Sequence, residues 1–214
     1  MPSPQEILAG LAETSHRFWY IAVLWHLALS LFLIGLIGGW RPPKSTCATM
    51  LVAPLASTTL LAIVSGTHFN AVVFLVMSTS LLVFAAGMGR ERVRVGARWR
   101  VFGGATMIAF AWLYPHFVDK GSMLAYLYRA PMGLVPCPTL AMIIGIALLF
   151  NGFDSFAWSV LVAAVGLFYG SFGVFRLGVG IDMILGMGSL VLLATAFEAR
   201  HARGVPASGA SARG

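Results

Sequence analysis

The chain has 214 residues, of which 59% are hydrophobic and 10% are charged, and its formal net charge is +7. A soluble domain would be about 25% charged, so the composition excludes an ordinary soluble protein. The positive charge does not predict a nucleic-acid partner, because five of the basic residues crowd one short segment beside an apolar stretch.

Two uncharged stretches determine the fold class. Residues 47–88 and 155–175 contain no Lys, Arg, Asp or Glu. As one helix, the first stretch would be about 63 Å long, whereas a bilayer core is only about 30 Å thick. The chain must therefore cross the membrane, turn and cross again. The sequence predicts an all-α, polytopic transmembrane helix bundle, with the lipid bilayer as its surroundings.

The N-terminal region 1–17 predicts a short interfacial helix. Ser3 and Glu6 have the S-x-x-E spacing of a capping box, in which each residue satisfies a backbone N–H of the other. Three apolar residues that follow share one helical face, as an interfacial helix needs: Ile7, Leu8 and Leu11.

The transmembrane domain, residues 18–200, contains seven predicted spans. Six crossings are the alternative, if one short segment is re-entrant. The tail, residues 201–214, has no apolar periodicity, and we expect it to be disordered. The predicted spans are Phe18–Trp40, Cys47–Gly66, Asn70–Met88, Val101–Val118, Leu134–Gly152, Ser155–Gly173 and Leu177–Phe197.

The distribution of basic residues predicts the orientation. Seven crossings place ten of the fourteen basic residues on one side, and the positive-inside rule makes that side cytoplasmic. We therefore expect a bacterial inner-membrane protein with its N-terminus outside and its C-terminus in the cytoplasm. Five arginines of this side are expected to contact anionic lipid headgroups: Arg90, Arg92, Arg94, Arg98 and Arg100.

Asp182 is the only acidic residue deep inside a predicted span, two turns from its outer start. An unpaired charge there costs at least about 2.5–3.5 kcal/mol, so we expect a partner such as His26, Arg129 or water. The alternative is a structural ion pair or a protonated carboxyl bonded to a neighbouring helix. The candidate residues of an outward-facing ligand or ion site are Asp182, His26, His116, Arg176, Arg129, Cys137, Thr139 and Tyr114.

The most distinctive local motif is Pro136-Cys137-Pro138-Thr139. Proline is tolerated in the first turn of a helix, where its missing N–H would have no partner in any case. The motif therefore places Cys137 and Thr139 near a helix N-terminus, which favours a thiolate or a bound anion. A simple helix start is the alternative.

The sequence leaves the cofactor unknown, although it disfavours metal and haem and excludes retinal. One cysteine with scattered histidines is far from a closed metal-ligand set, and His26 and His116 lie at different predicted depths, which disfavours bis-histidine haem. The two lysines, Lys44 and Lys120, are predicted to lie in loops, so no span offers a lysine for retinal.

Residues 112–150 resemble a family of small bacterial multi-span membrane proteins of unknown function. The resemblance rests on Tyr114-Pro115 at the end of one span and on Pro-x-Gly-x-x-Pro-Cys-Pro-Thr, residues 131–139, at the start of the next. It implies a shared fold and a shared outer-face motif, and it implies no activity.

Three classes of function remain open. The first is binding or transport of a small solute or ion through the outward pocket, and the second is a structural or assembly subunit of a larger membrane complex. The third is a membrane redox or metal-binding protein using Cys137. No catalytic residues are predicted, because Walker, H-E-x-x-H and G-x-S-x-G motifs are absent from the sequence.

The predicted orientation can be tested by cysteine labelling. Single cysteines in residues 90–100 should react with a membrane-impermeant maleimide only after cells are opened, because that segment is predicted to be cytoplasmic. Cysteines in 119–130 should react in intact cells. Labelling of the arginine segment in intact cells would reverse the orientation.

Overall fold

A computed structural model of the chain describes residues 3–114 and 125–204, without the side chains of 202–204. Every regular element in these ranges is a helix, and they contain no β-strand, so the predicted all-α class is confirmed. The helices are α1 (Pro4–Arg17), α2 (Trp19–Ile37), α3 (Lys44–Met50), α4 (Val52–Val64), α5 (His68–Ala86), α6 (Arg98–Trp112), α7 (Tyr126–Arg129), α8 (Pro136–Leu149), α9 (Phe156–Phe175) and α10 (Met183–Gly204).

Five helical segments of the described chain are long and apolar enough to cross a membrane: Trp19–Ile37, Lys44–Val64, His68–Ala86, Phe156–Phe175 and Gly180–His201. The protein is therefore a multi-pass membrane protein. The fourth and fifth predicted spans correspond to α6 and α8, which have 15 and 14 residues. At about 22 and 21 Å they are shorter than the bilayer core of about 30 Å, so seven crossings stay a prediction.

The capping box of α1 is present as predicted. The Glu6 backbone N–H donates to Ser3 Oγ at 3.2 Å, and the Ser3 backbone N–H donates to Glu6 Oε2 at 2.6 Å. The hydrogen bond from the Ser3 backbone lowers the pKa of the Glu6 carboxyl below its ordinary value. Two orphan donors at the helix start are thereby satisfied.

Helix α8 is the centre of the bundle, with twelve of its fourteen residues buried. It approaches α6 closely at Gly145, where a Cβ added to Gly104 would lie only 2.6 Å from the Gly145 carbonyl oxygen. A second close contact joins α9 to α10, since a Cβ on Gly170 would lie 2.8 Å from the Gly186 nitrogen. Small residues thus let these helices pack within one chain.

The basic residues collect at one end of the bundle, here called the basic end. Lys44 forms salt bridges with Glu91 at 2.8 Å and with Asp154 at 2.7 Å, and Arg100 bonds to Asn151 and Glu198. These contacts join α3, the arginine segment, the α8–α9 turn and the end of α10. The structure corrects the position of Lys44, which is the first residue of α3 and does not lie in a loop.

The predicted start of the last span at Leu177 is wrong. Arg176 caps α9, Gly178 has a φ of +72°, and a short 3₁₀ turn over Gly180–Asp182 precedes α10. The left-handed conformation favours glycine and interrupts a helix, although the surrounding residues are apolar. Asp182 therefore immediately precedes α10 and does not lie two turns inside a helix.

We predict that Gly170→Ala lowers the stability of the protein by about 1–3 kcal/mol, the usual cost of overpacking. The added Cβ would meet backbone atoms of α10 at 2.8 and 3.1 Å, which cannot move without shifting the helix. Thermal unfolding in detergent measures the effect.

Gly186→Ala is the matched control, because a Cβ at Gly186 meets nothing within 4 Å. Equal unfolding temperatures for the two variants would show that the α9–α10 contact is looser than described.

Candidate functional site

The carboxylate of Asp182 links three parts of the bundle at the end opposite the basic end. Only 1% of Asp182 is exposed. The Tyr114 hydroxyl donates to its Oδ1 at 2.9 Å, and the Cys137 thiol donates to its Oδ2 at 3.2 Å. Tyr114 follows α6, Cys137 lies in the first turn of α8, and Asp182 precedes α10. The sequence predicted these three residues for one site, and the structure brings them into direct contact.

The position of Cys137 depends on the turn before α8. Thr139 is fully buried, accepts a hydrogen bond from the Gly133 N–H at 2.9 Å and donates to the Val135 carbonyl at 2.7 Å. Gly133 has a φ of +77°, and a Cβ there would overlap the indole ring of Trp25. Thr139 was a predicted site residue, and its contacts make it a positioning residue that fixes the turn carrying the thiol.

Helix α9 leaves room for the carboxylate through a glycine. A Cβ added to Gly173 would overlap the Asp182 side chain. Any larger residue at this position would displace the acid from Tyr114 and Cys137. The glycine-lined contact between α9 and α10 therefore extends up to the site.

A cavity of about 50 Å³ lies beside the Asp182 side chain. Across it, the Tyr169 hydroxyl of α9 donates to Asn70 Oδ1 of α5 at 2.8 Å. Three apolar residues of α1 also line this space, so the N-terminal helix covers the cavity with its apolar face. These three are Ile7, Leu8 and Leu11.

Besides Thr139, three other described residues that the sequence predicted for the site do not line this cavity. His26 is buried in α2, where its ring nitrogens lie 2.8 Å from the Ala22 carbonyl and 3.5 Å from the Trp112 carbonyl. The guanidinium of Arg129 stacks 4.6 Å from the Trp19 ring centroid, and Arg176 is exposed at the end of α9. The predicted approach of His26 or Arg129 to Asp182 is thus replaced by Tyr114 and Cys137.

Other expectations concern histidine and metal. His116 lies outside the described residues. Within residues 3–114 and 125–204, no group of three or more His, Cys, Asp or Glu side chains could hold a metal ion. Cys47 and Cys137 are both free thiols.

Sequence reasoning missed Asn70, Tyr169 and the covering role of α1. Tyr169 carries a hydroxyl inside the uncharged stretch 155–175, and Asn70 opens a predicted span. A polar tip inside an apolar span needs a hydrogen-bond partner. The sequence could therefore have indicated that each of these polar groups has a hydrogen-bond partner, although it could not identify that partner.

We predict opposite responses to substitution at the two cysteines. Cys137→Ser keeps a donor for Asp182, whereas Cys137→Ala removes it and should cost about 1–3 kcal/mol more than the serine variant. At Cys47, which lies in the apolar core, alanine should be tolerated at least as well as serine. Thermal unfolding of the four variants shows which of serine and alanine is more stable at each site. If alanine is tolerated as well as serine at Cys137 too, the Cys137–Asp182 hydrogen bond is contradicted.

Comparison with known proteins gives no match to a protein-family model, to a curated protein or to a solved structure. The resemblance of residues 112–150 to a family of small membrane proteins stays a prediction.

Proposed function

We propose that the protein binds a small cation in the Asp182 pocket, on the extracytoplasmic side of a bacterial inner membrane, and that this binding serves ion transport. The observation that carries the proposal is the buried Asp182 carboxylate beside a cavity of about 50 Å³. Carboxylate and amide oxygens are ligands that hard cations prefer, and a phenol adds a third oxygen beside them. Asp182, Tyr114 and Asn70 supply these three oxygen types around one space.

The cavity volume limits the ligand. Pockets for organic ligands usually measure about 300–1,000 Å³, so a cavity of about 50 Å³ suits a small ion with few or no waters. This size favours an ion over an organic solute, within the broader expectation of small-solute or ion binding.

Helix α1 provides the route to the pocket. Its apolar face covers the cavity, and its last turn is tied to the chain after α4 by the Thr14 hydroxyl, which donates to Ser65 Oγ at 2.9 Å. A rotation of α1 about this attachment would uncover Asp182. The ion would then enter from the side of the N-terminus.

A structural role is the second candidate. The Asp182 carboxylate joins the ends of three helical segments, and a subunit of a larger membrane complex could use these bonds only to fix its helices. The two candidates differ in whether a cation stabilises the protein.

The test measures thermal unfolding of purified protein in LiCl, NaCl, KCl and N-methylglucamine chloride at equal ionic strength. At least one small cation should raise the unfolding temperature relative to N-methylglucamine, which is too large for the cavity. Asp182→Asn keeps the side-chain shape and should weaken the response about 10- to 100-fold, the loss expected from one charged hydrogen-bonding group of about 1.5–3 kcal/mol. Ion flux into proteoliposomes then tests transport.

Glu91→Gln is the control, since it removes a carboxylate at the basic end and should leave the cation response unchanged. A parent protein that responds equally to all four salts, with Asp182→Asn less stable in each, would support the structural role and contradict cation binding.

A further inference from the structure

The basic end contains a second, larger cavity, which shares no lining residue with the Asp182 pocket. This cleft has a volume of about 620 Å³, within the range of about 300–1,000 Å³ that is usual for small-molecule sites. One wall is charged and contains Lys44, Glu91 and Asp154, while the other is apolar and includes Val83 and Phe84 at the end of α5. Val83 is 64% exposed, so the apolar wall continues onto the outer surface of a membrane-spanning helix.

An unusual backbone turn places Asp154 in this cleft. Four consecutive residues between α8 and α9, residues 151–154, have φ values from +53° to +62°, and only Gly152 among them is a glycine. Left-handed residues cost about 1–2 kcal/mol each, and packing stabilises the turn. Phe153 is 2% exposed and packs edge-on against Trp158 with ring centroids 4.9 Å apart. The next residue, Asp154, reaches Lys44 at 2.7 Å.

The three charged side chains of this wall are joined by ion pairs. Lys44 is only 12% exposed and bonds to both Glu91 and Asp154, whose side chains are 76% and 35% exposed. An ammonium has three N–H donors, so Lys44 retains one donor beyond these two bonds. The bond from Lys44 also lowers the pKa of the Glu91 carboxyl, which keeps it anionic.

We propose that the cleft binds the headgroup of a phospholipid with a primary ammonium, of the phosphatidylethanolamine type. The lipid ammonium donates to Glu91 and Asp154, and the lipid phosphate accepts from Lys44, with Arg90 adjacent in sequence to two lining residues. The acyl chains lie along Val83 and Phe84. This site recognises the lipid through its ammonium group, whereas the arginines of residues 90–100 are predicted to contact anionic lipid headgroups.

The charge pattern selects among headgroups. Phosphatidylcholine has no N–H to donate to two carboxylates, and phosphatidylglycerol has no cation for them. Hydrogen bonds to charged groups contribute about 1.5–3 kcal/mol, which corresponds to a preference of about tenfold or more. Stepwise N-methylation of the ethanolamine removes one donor at a time and should reduce binding at each step.

The experiment is a competition measured on the intact protein by native mass spectrometry. Protein in detergent is mixed with equal amounts of phosphatidylethanolamine, its mono- and dimethyl derivatives, phosphatidylcholine and phosphatidylglycerol. We expect retained lipid to fall in the order of available N–H donors. Equal retention of the ethanolamine and choline lipids would overturn the proposal, and so would a preference for phosphatidylglycerol, which would indicate recognition by the arginines alone.

Two substitutions locate the site. Asp154→Asn is compatible with a positive φ, since asparagine adopts it more readily than most residues, and Glu91→Gln keeps the side-chain length. Together they should abolish the ethanolamine preference, whereas Glu13→Gln, an exposed carboxylate on α1, should preserve it. A double variant that retains the preference would contradict the assignment to this cleft. If the double variant does not fold, Glu91→Gln alone, at a side chain that is 76% exposed, should weaken the preference, and an unchanged preference would contradict the assignment.

Discussion

A carboxylate among apolar helices must be satisfied by its neighbours, and the bundle is arranged around that requirement. Asp182 is met by a phenol and a thiol from two other helical segments, and α9 has a glycine where any Cβ would overlap the acid. The turn before α8 is fixed by Thr139, which places the thiol. Lipid cannot solvate a carboxylate, so these protein contacts satisfy the Asp182 side chain directly or position the groups that do.

The membrane class and the positions of the helices could be predicted from the sequence because they depend on composition and length. The uncharged stretch 47–88, as one helix, would be about twice the bilayer thickness and so requires a turn, and the structure accordingly separates α4 from α5 within it. Pro136 marks the start of α8 as predicted, since proline is compatible with the first turn. The capping box of α1 could also be predicted, because its two residues interact over a fixed sequence spacing.

The composition of the site was only partly predictable, because the direction of each side chain is set by packing. His26 and Arg129 have the chemistry of site residues, yet they bond to Trp112 and stack on Trp19. Apolar residues surround most of these helices, so the sequence pattern did not indicate which face turns inward. The left-handed turn before α9 could not be predicted either, because tertiary contacts and not local preference keep its residues at positive φ. These residues include Asn151, Phe153 and Asp154.

The two cavities lie at the two ends of one helix. Cys137, in the first turn of α8, borders the Asp182 pocket, and the left-handed turn that follows α8 borders the cleft at Lys44. Helix α8 is about 21 Å long and almost completely enclosed by protein, so it behaves as a rigid rod between them. A displacement of this rod along its axis would compress one cavity while enlarging the other. Because α8 also packs closely on α6 at Gly145, such a displacement would have to carry α6 with it.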